Sequence, residues 1–139
     1  MVGGMGHSSM VSLGYSLNTR KMVICLDGDG SLLMHLGALR NLAFFGKTNL
    51  KHILLNNNAH ESVGGQRTTA IGISFNKLVK SLGYKNYFKI SNNKNVDKIL
   101  KKFLKSRGPS FLEVLISLGT LKNLSRPSNL IKIKDKFIK

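Results

Sequence analysis

A single cysteine, Cys25, excludes any internal disulfide, and its place inside an apolar run makes it a buried, inert thiol of a reducing compartment. Apolar runs never exceed a few residues, so no segment is predicted to cross a bilayer. The opening Met-Val-Gly-Gly-Met-Gly-His has neither a basic n-region nor an apolar h-region. No secretory signal is read, and a cytoplasmic location is expected. Acidic residues are also scarce, six against 22 Lys and Arg, a formal charge of +16. That excess is uneven. Residues 1–76 set six basic side chains against Asp27, Asp29 and Glu61, while residues 77–139 set sixteen against Asp97, Glu113 and Asp135. The only aromatic grouping in the basic half, Tyr84, Tyr87 and Phe88, is one short segment and not a stacking platform interleaved with arginines. The charge is therefore not read as a nucleic-acid surface.

What is present, at 139 residues and 15.3 kDa, is enough for one domain with a core and too little for two. Apolar spacing predicts helices over residues 8–17, 31–45, 73–82 and 96–105, and strands over 22–26, 52–55, 86–90 and 111–116. Gly83 stops the third helix and Gly108-Pro109 the fourth. Strands alternating with helices predict an α/β fold with a doubly wound, mostly parallel sheet. The domain is placed at 1–127. Residues 128–139 form a basic tail, and no period is visible from residue 124 onward. The first glycine cluster, Gly3-Gly4-Met5-Gly6, begins almost at Met1, where an open sheet of this kind ordinarily has a strand before such a turn. The domain is thus expected to be short at its N-terminus.

Two stretches carry the chemistry. The strand at 22–26 runs into Asp27-Gly28-Asp29-Gly30-Ser31, and the strand at 52–55 into Asn56-Asn57-Asn58-Ala59-His60. Asp29 and Asn57 are 28 positions apart, a fair length for one βαβ unit. Neighbouring parallel strands lie roughly 5 Å apart, so both side chains are expected at one C-terminal sheet edge. The glycines permit close approach of backbone to ligand. The first-turn N–H groups of Gly30, Ser31 and Leu32, with the helix dipole, attract a phosphate. Asp29, the Asn57 side-chain oxygen and the Ala59 carbonyl would give a magnesium ion three of its roughly six oxygens. Either stretch alone is an ordinary turn or loop; together, a βαβ unit apart, they suit a small hard cation and a phosphate.

Other patterns fail on context. Gly46-Lys47-Thr48 resembles the end of a P-loop, but Asn41 stands where its first glycine belongs and a helix precedes it. Gly4-Met5-Gly6 before Ser9 has no acidic residue at the distance a dinucleotide site needs. His7, His35, His52 and His60 lack zinc-like spacing. His35 and His52 are read as structural. His7 and His60 sit in the two glycine-rich loops as candidate substrate contacts. Ser62, beside His60 and Glu61, lacks the leading glycine of a hydrolase elbow.

Gly28-Asp29-Gly30-Ser31 followed by Asn56-Asn57 resembles the thiamine-diphosphate signature of thiamine-dependent decarboxylases and synthases. The longer runs from Leu26 to Gly37 and from Leu54 to Gln66 are similar to those of the phosphonopyruvate decarboxylases and, next, the sulfopyruvate decarboxylase β subunits. The resemblance extends from Val2 to about Pro127, where Leu124-Ser125-Arg126-Pro127 is similar to that family's closing segment. It implies a diphosphate-binding domain in which Asp29, Asn57 and the Ala59 carbonyl hold Mg²⁺. Gly28, Gly30, Ser31 and Leu32 would lie against the diphosphate, and the Gly3 carbonyl would accept from the cofactor's exocyclic amine. Met5 would wedge the cofactor into a bent shape. The cofactor acts as electron sink while a small anionic 2-oxo acid loses carbon dioxide.

Asn58 stands where these enzymes commonly have glycine. The family's pyrimidine-binding module, which supplies an activating glutamate, has no counterpart in these residues; Glu61 and Glu113, the two glutamates, are not assigned that role. The chain is therefore expected to be a β-type subunit or a fragment, inactive alone, working with a pyrimidine-binding α-type subunit or domain in an oligomer. The alternative is a non-catalytic module that holds Mg²⁺-thiamine diphosphate, or only a partner subunit, without turnover.

Overall fold

The computed structural model describes residues 3–119, 123 and 127–138; Val2 and residues 124–126, at the two ends of the resemblance, lie outside them. In chain order the elements are α1 (Ser8–Leu17), β1 (Val23–Gly28), α2 (Asp29–Met34), α3 (Ala38–Phe45) and β2 (Leu50–Asn56). A short ribbon follows, β3 (Ala59–His60) and β4 (Gln66–Arg67), with a 3₁₀ turn over Glu61–Val63 between its strands. Then come α4 (Phe75–Ser81), β5 (Asn86–Ile90), α5 (Val96–Lys105), β6 (Ser110–Leu115) and α6 (Leu130–Phe137). Helices α1 and α5 and strand β5 fall on the residues that the apolar spacing predicts.

The sheet order is β1-β2-β6-β5 and every neighbouring pair is parallel. Alternation of side chains across each strand sends residues to two faces. One face carries Val23, Leu50, Leu54 and Phe111 against Leu13, Leu39, Leu42, Phe75 and Val79 of α1, α3 and α4. The other carries Ile90 and Leu112 against Phe103 of α5. A sheet covered on both faces is what an all-parallel arrangement requires. Gly108 leads into β6, its N–H donating to the Thr48 carbonyl at 2.9 Å. A Cβ there would lie 2.3 Å from the Leu50 carbonyl oxygen. Gly108→Ala is expected to destabilise the chain by about 1–3 kcal/mol, the usual range for overpacking, measured by urea unfolding.

Two expectations change. The single helix over 31–45 is two, because the chain turns at His35–Gly37 through i→i+3 bonds, Ala38 N–H to His35 O at 2.9 Å and Arg40 N–H to Gly37 O at 3.2 Å. Gly37 weakens the helix there, yet the apolar stripe survives the break: Leu32, Leu39 and Leu42 all reach the same core. The basic tail is not shapeless either. Helix α6 forms in it, with the Asn129 side chain capping the Lys132 N–H at 2.9 Å; Leu130, Ile133 and Phe137 stand at i, i+3 and i+7 along it, a helical spacing that the basic composition hides.

Candidate functional site

Strand β1 ends at Gly28 opposite Leu55 of β2, so the loops that follow leave one edge of the sheet together. Gly28 is extended (φ −92°, ψ 156°) and caps α2, whose first residue is Asp29. The helix thus starts two residues before the predicted Ser31. Its first turn leaves the N–H groups of Asp29, Gly30 and Ser31 without intrahelical acceptors. Leu32 lies one step further in, with its side chain in the core. At Gly30 a Cβ would fall 2.3 Å from His60 Nδ1; only glycine lets the imidazole rest against this turn.

Asp29 is 1% exposed. Its Oδ2 accepts from the Thr68 hydroxyl, and among the described residues no cationic side chain pairs with it. Burying a carboxylate without a counter-charge is costly, and this one is aimed at the cavity it lines.

The three asparagines after β2 have separate tasks. Asn56 Nδ2 donates to Glu113 Oε1 at 3.1 Å, and its Oδ1 accepts from Asn58 N–H at 3.2 Å. Asn57 Oδ1 accepts from Ala59 N–H at 3.0 Å, and its Nδ2 donates to Glu61 Oε2 at 2.6 Å. Such side-chain-to-backbone turns are why asparagine suits this kind of loop. Asn58, standing where glycine is common, adopts φ 57°, a left-handed conformation that asparagine tolerates better than most residues. The Asn58 carbonyl accepts from Thr68 N–H at 3.0 Å, so the segment carrying the Asp29 partner is pinned to the asparagine loop.

The N-terminal glycine loop closes a third side. Gly6, at φ 86°, donates its N–H to Ser31 Oγ at 3.0 Å, which ties the loop to the start of α2. Gly3 and Met5 line the same cavity as Gly28, Asp29, Gly30, Ser31, Asn57, Ala59 and His60. His7 does not; its ring packs tilted against His35, centroids 4.4 Å apart and planes 50° from parallel. The cavity measures about 600 Å³, within the usual range for small-molecule sites.

Sequence reasoning passed over four polar residues here. Thr68 had only a Gly-rich loop for context. Glu61 takes Asn57 Nδ2 on one oxygen and Gly119 N–H on the other, at 2.5 Å. Glu113 is buried on β6 and holds Asn56, the Tyr87 hydroxyl and Lys89. Asp27, which alternation does mark as sharing a strand face with Cys25, lines the cavity and places Oδ2 3.7 Å from the fully buried His52 Nε2. Burial resists ionisation of Asp27, but His52, Ser31 and Ser8 outweigh it and hold the carboxyl below its ordinary value. Burial likewise resists a charge on His52, yet Tyr84, Asp27 and Cys25 outweigh it and hold the imidazole well above its ordinary value. Cys25 is buried, as expected, and its thiol lies within 4.8 Å of the Asp27 and His52 ligand atoms.

The donor set fits a metal-bound diphosphate. A buried carboxylate lacking a counter-ion and an amide oxygen with one lone pair spent are oxygen ligands of the kind a hard cation takes. Three backbone N–H groups at a helix start suit an anion beside it.

Residues 1–114 match the family profile described as thiamine pyrophosphate enzyme, C-terminal TPP binding domain. A phosphonopyruvate decarboxylase of Streptomyces viridochromogenes is 35% identical over 127 residues, 91% of this chain and 32% of that protein. A sulfopyruvate decarboxylase subunit beta of Methanothermobacter thermautotrophicus is 34% identical over 119 residues, 86% of this chain and 62% of that protein. An X-ray structure from Mycobacterium smegmatis assigned as a thiamin diphosphate-dependent enzyme superposes with a TM-score of 0.65 at 20% identity, over 85% of this chain and 23% of that one. The chain therefore spans about a third of the length of the phosphonopyruvate decarboxylase and under two thirds of the β subunit.

Proposed function

The chain belongs to the thiamine pyrophosphate enzymes as their C-terminal TPP-binding domain, and on that premise we propose that it is the Mg²⁺-diphosphate-binding half of a decarboxylase of a small anionic 2-oxo acid. Phosphonopyruvate or sulfopyruvate is the substrate suggested by the names of its relatives. One observation carries the reading: Asp29, buried without a cationic side chain beside it, shares a cavity with Asn57 at the ends of two adjacent parallel strands.

In this reading Asp29 Oδ1, Asn57 Oδ1 and the Ala59 carbonyl hold Mg²⁺, and the first-turn N–H groups of α2 hold the diphosphate oxygens. Gly3 and Met5, fixed through the Gly6–Ser31 bond, orient the remainder of the cofactor. Leu26, Leu55, Val63 and Ile116 line the cavity and keep water from the reacting centre, where electrostatic contacts then strengthen. When bound, thiamine diphosphate supplies the electron sink that decarboxylation of a 2-oxo acid needs. Turnover is assigned to a complex with a pyrimidine-binding α-type subunit or domain. No described helix is long and apolar enough to cross a membrane.

Calorimetric titration of the chain with thiamine diphosphate tests the binding reading. Saturable uptake at one site per chain is expected with Mg²⁺ and not with EDTA. Uptake indifferent to Mg²⁺, or none, would remove it.

A further inference from the structure

A side-chain amide binds a cation through only one of its two ends, and a free asparagine can present either. Nothing in the Asn57 backbone chooses between them. Two contacts do. Ala59 N–H, 3.0 Å from Asn57 Oδ1, requires an acceptor at that end. Glu61 Oε2, 2.6 Å from Asn57 Nδ2, requires a donor at the other. A flipped amide would set N–H against N–H at one end and oxygen against carboxylate at the other. Glu61 is itself held, because its second oxygen accepts the Gly119 N–H at 2.5 Å. Each carboxylate oxygen thus has one donor, and Glu61 is braced between the asparagine loop and the segment after β6.

We propose that Glu61 is the positioning residue of the metal site: it fixes the Asn57 amide so that Oδ1 faces the cation, and its negative charge polarises that amide toward oxygen. The inference rests on the Mg²⁺-diphosphate reading of the cavity. Glu61 lines the same cavity, but each of its oxygens already has a donor, and it is assigned to act through Asn57. Hydrogen-bond partners of metal ligands commonly matter 10- to 100-fold in metal affinity. Charge is what makes Glu61 suited to this: two N–H donors need two acceptors, and only a carboxylate offers both at this reach. Glutamine has one acceptor and must turn its NH₂ toward one of the two donors.

The test uses Glu61→Gln and Glu61→Ala in the full chain, with Mg²⁺ titrated at fixed thiamine diphosphate and binding followed calorimetrically. Both variants are expected to need about 10- to 100-fold more Mg²⁺ for half-maximal binding. At saturating Mg²⁺ they should recover the wild-type stoichiometry and cofactor affinity, with a thermal midpoint unchanged in the absence of ligand. An unshifted Mg²⁺ dependence in either variant overturns the proposal while leaving the cavity reading standing. A collapse of the thermal midpoint in both also overturns it, since Glu61 would then serve the fold. Absence of Mg²⁺-dependent binding in the wild type is a different result, and it removes the cavity reading together with this one.

Discussion

Asp29→Asn is expected to weaken Mg²⁺-dependent thiamine diphosphate binding by at least about 100-fold, roughly 3 kcal/mol, while leaving the unliganded chain as stable as before or slightly more stable. The two halves of that result have one cause. Asp29 is 1% exposed, and among the described residues its only side-chain partner is the Thr68 hydroxyl. In the free chain a carboxylate so buried, with that one side-chain hydrogen bond, costs stability. Asparagine keeps the shape and an oxygen for Thr68, but removes the charge. With Mg²⁺ and a diphosphate present, the balance inverts: the cation loses the one carboxylate among its three proposed ligands, and a neutral amide oxygen cannot neutralise a divalent ion. Calorimetric titration reads the first half and thermal unfolding without ligand reads the second. An Asn variant that binds with wild-type affinity would show that the cation, if used at all, is held elsewhere. A variant that unfolds tens of degrees early would show Asp29 to be a structural residue.

The pairing of stability cost with binding gain also marks what could be read from the chain. Apolar period located α1, α5 and β5 to the residue and put Leu32, Leu39 and Leu42 on one stripe, because burial is decided by spacing that a sequence displays directly. The juxtaposition of Asp29 with Asn57 was legible for a similar reason: a βαβ unit has a typical length, and consecutive parallel strands return to the same edge. The register Gly28 opposite Leu55 is what that argument needed.

Contacts between segments with no common period were not legible. Thr68 reaches Asp29 across 39 positions and Glu61 reaches Gly119 across 58, and neither residue type announces its partner. Lys51 is the sharpest case. A lysine at a strand start reads as solvent-facing, yet it is 1% exposed, with its amine bonded to Ser106 and set 5.7 Å over the Phe103 ring. Alternation alone puts it on the α5 face, and only the docked helix shows that its ammonium has partners there. The helix boundary after Gly28 was missed by two residues because Asp and Gly are weak helix formers in the interior. Both are acceptable in a first turn, where Asp29 is also favoured by the helix dipole.

Carbon dioxide release from phosphonopyruvate or sulfopyruvate by this chain alone is expected to be undetectable, and to rise by at least about 1,000-fold when a pyrimidine-binding partner is added. The expectation comes from counting what the cavity's own acids are already doing. In the proposed site Asp29 is given to the cation. Glu61 has a donor on each oxygen. Glu113 is buried on β6 against Asn56, Tyr87 and Lys89 and does not line the cavity. Asp27 lines the cavity with Oδ2 3.7 Å from His52 Nε2; burial opposes its ionisation, but His52, Ser31 and Ser8 hold its carboxyl below the ordinary value. Among the described residues Asp27 Oδ1 has no hydrogen-bond partner. A carboxyl held below its ordinary value is nonetheless poorly matched to exchanging a proton near neutral pH, so none of the described acids is suited to that step with the cofactor. Losing a positioned acid or base commonly costs 10²–10⁴-fold in rate. Among the described residues no lysine or arginine lines the cavity either, so the positive charge that would hold a phosphonate or sulfonate is also expected from the partner. Full turnover by the isolated chain would refute the need for a partner and direct attention to Asp27. Cofactor binding that persists while the complex releases no carbon dioxide would instead identify a module that holds Mg²⁺-thiamine diphosphate without catalysing its chemistry, since the groups proposed to hold the cofactor are in this chain while none of its described acids is suited to the proton transfer.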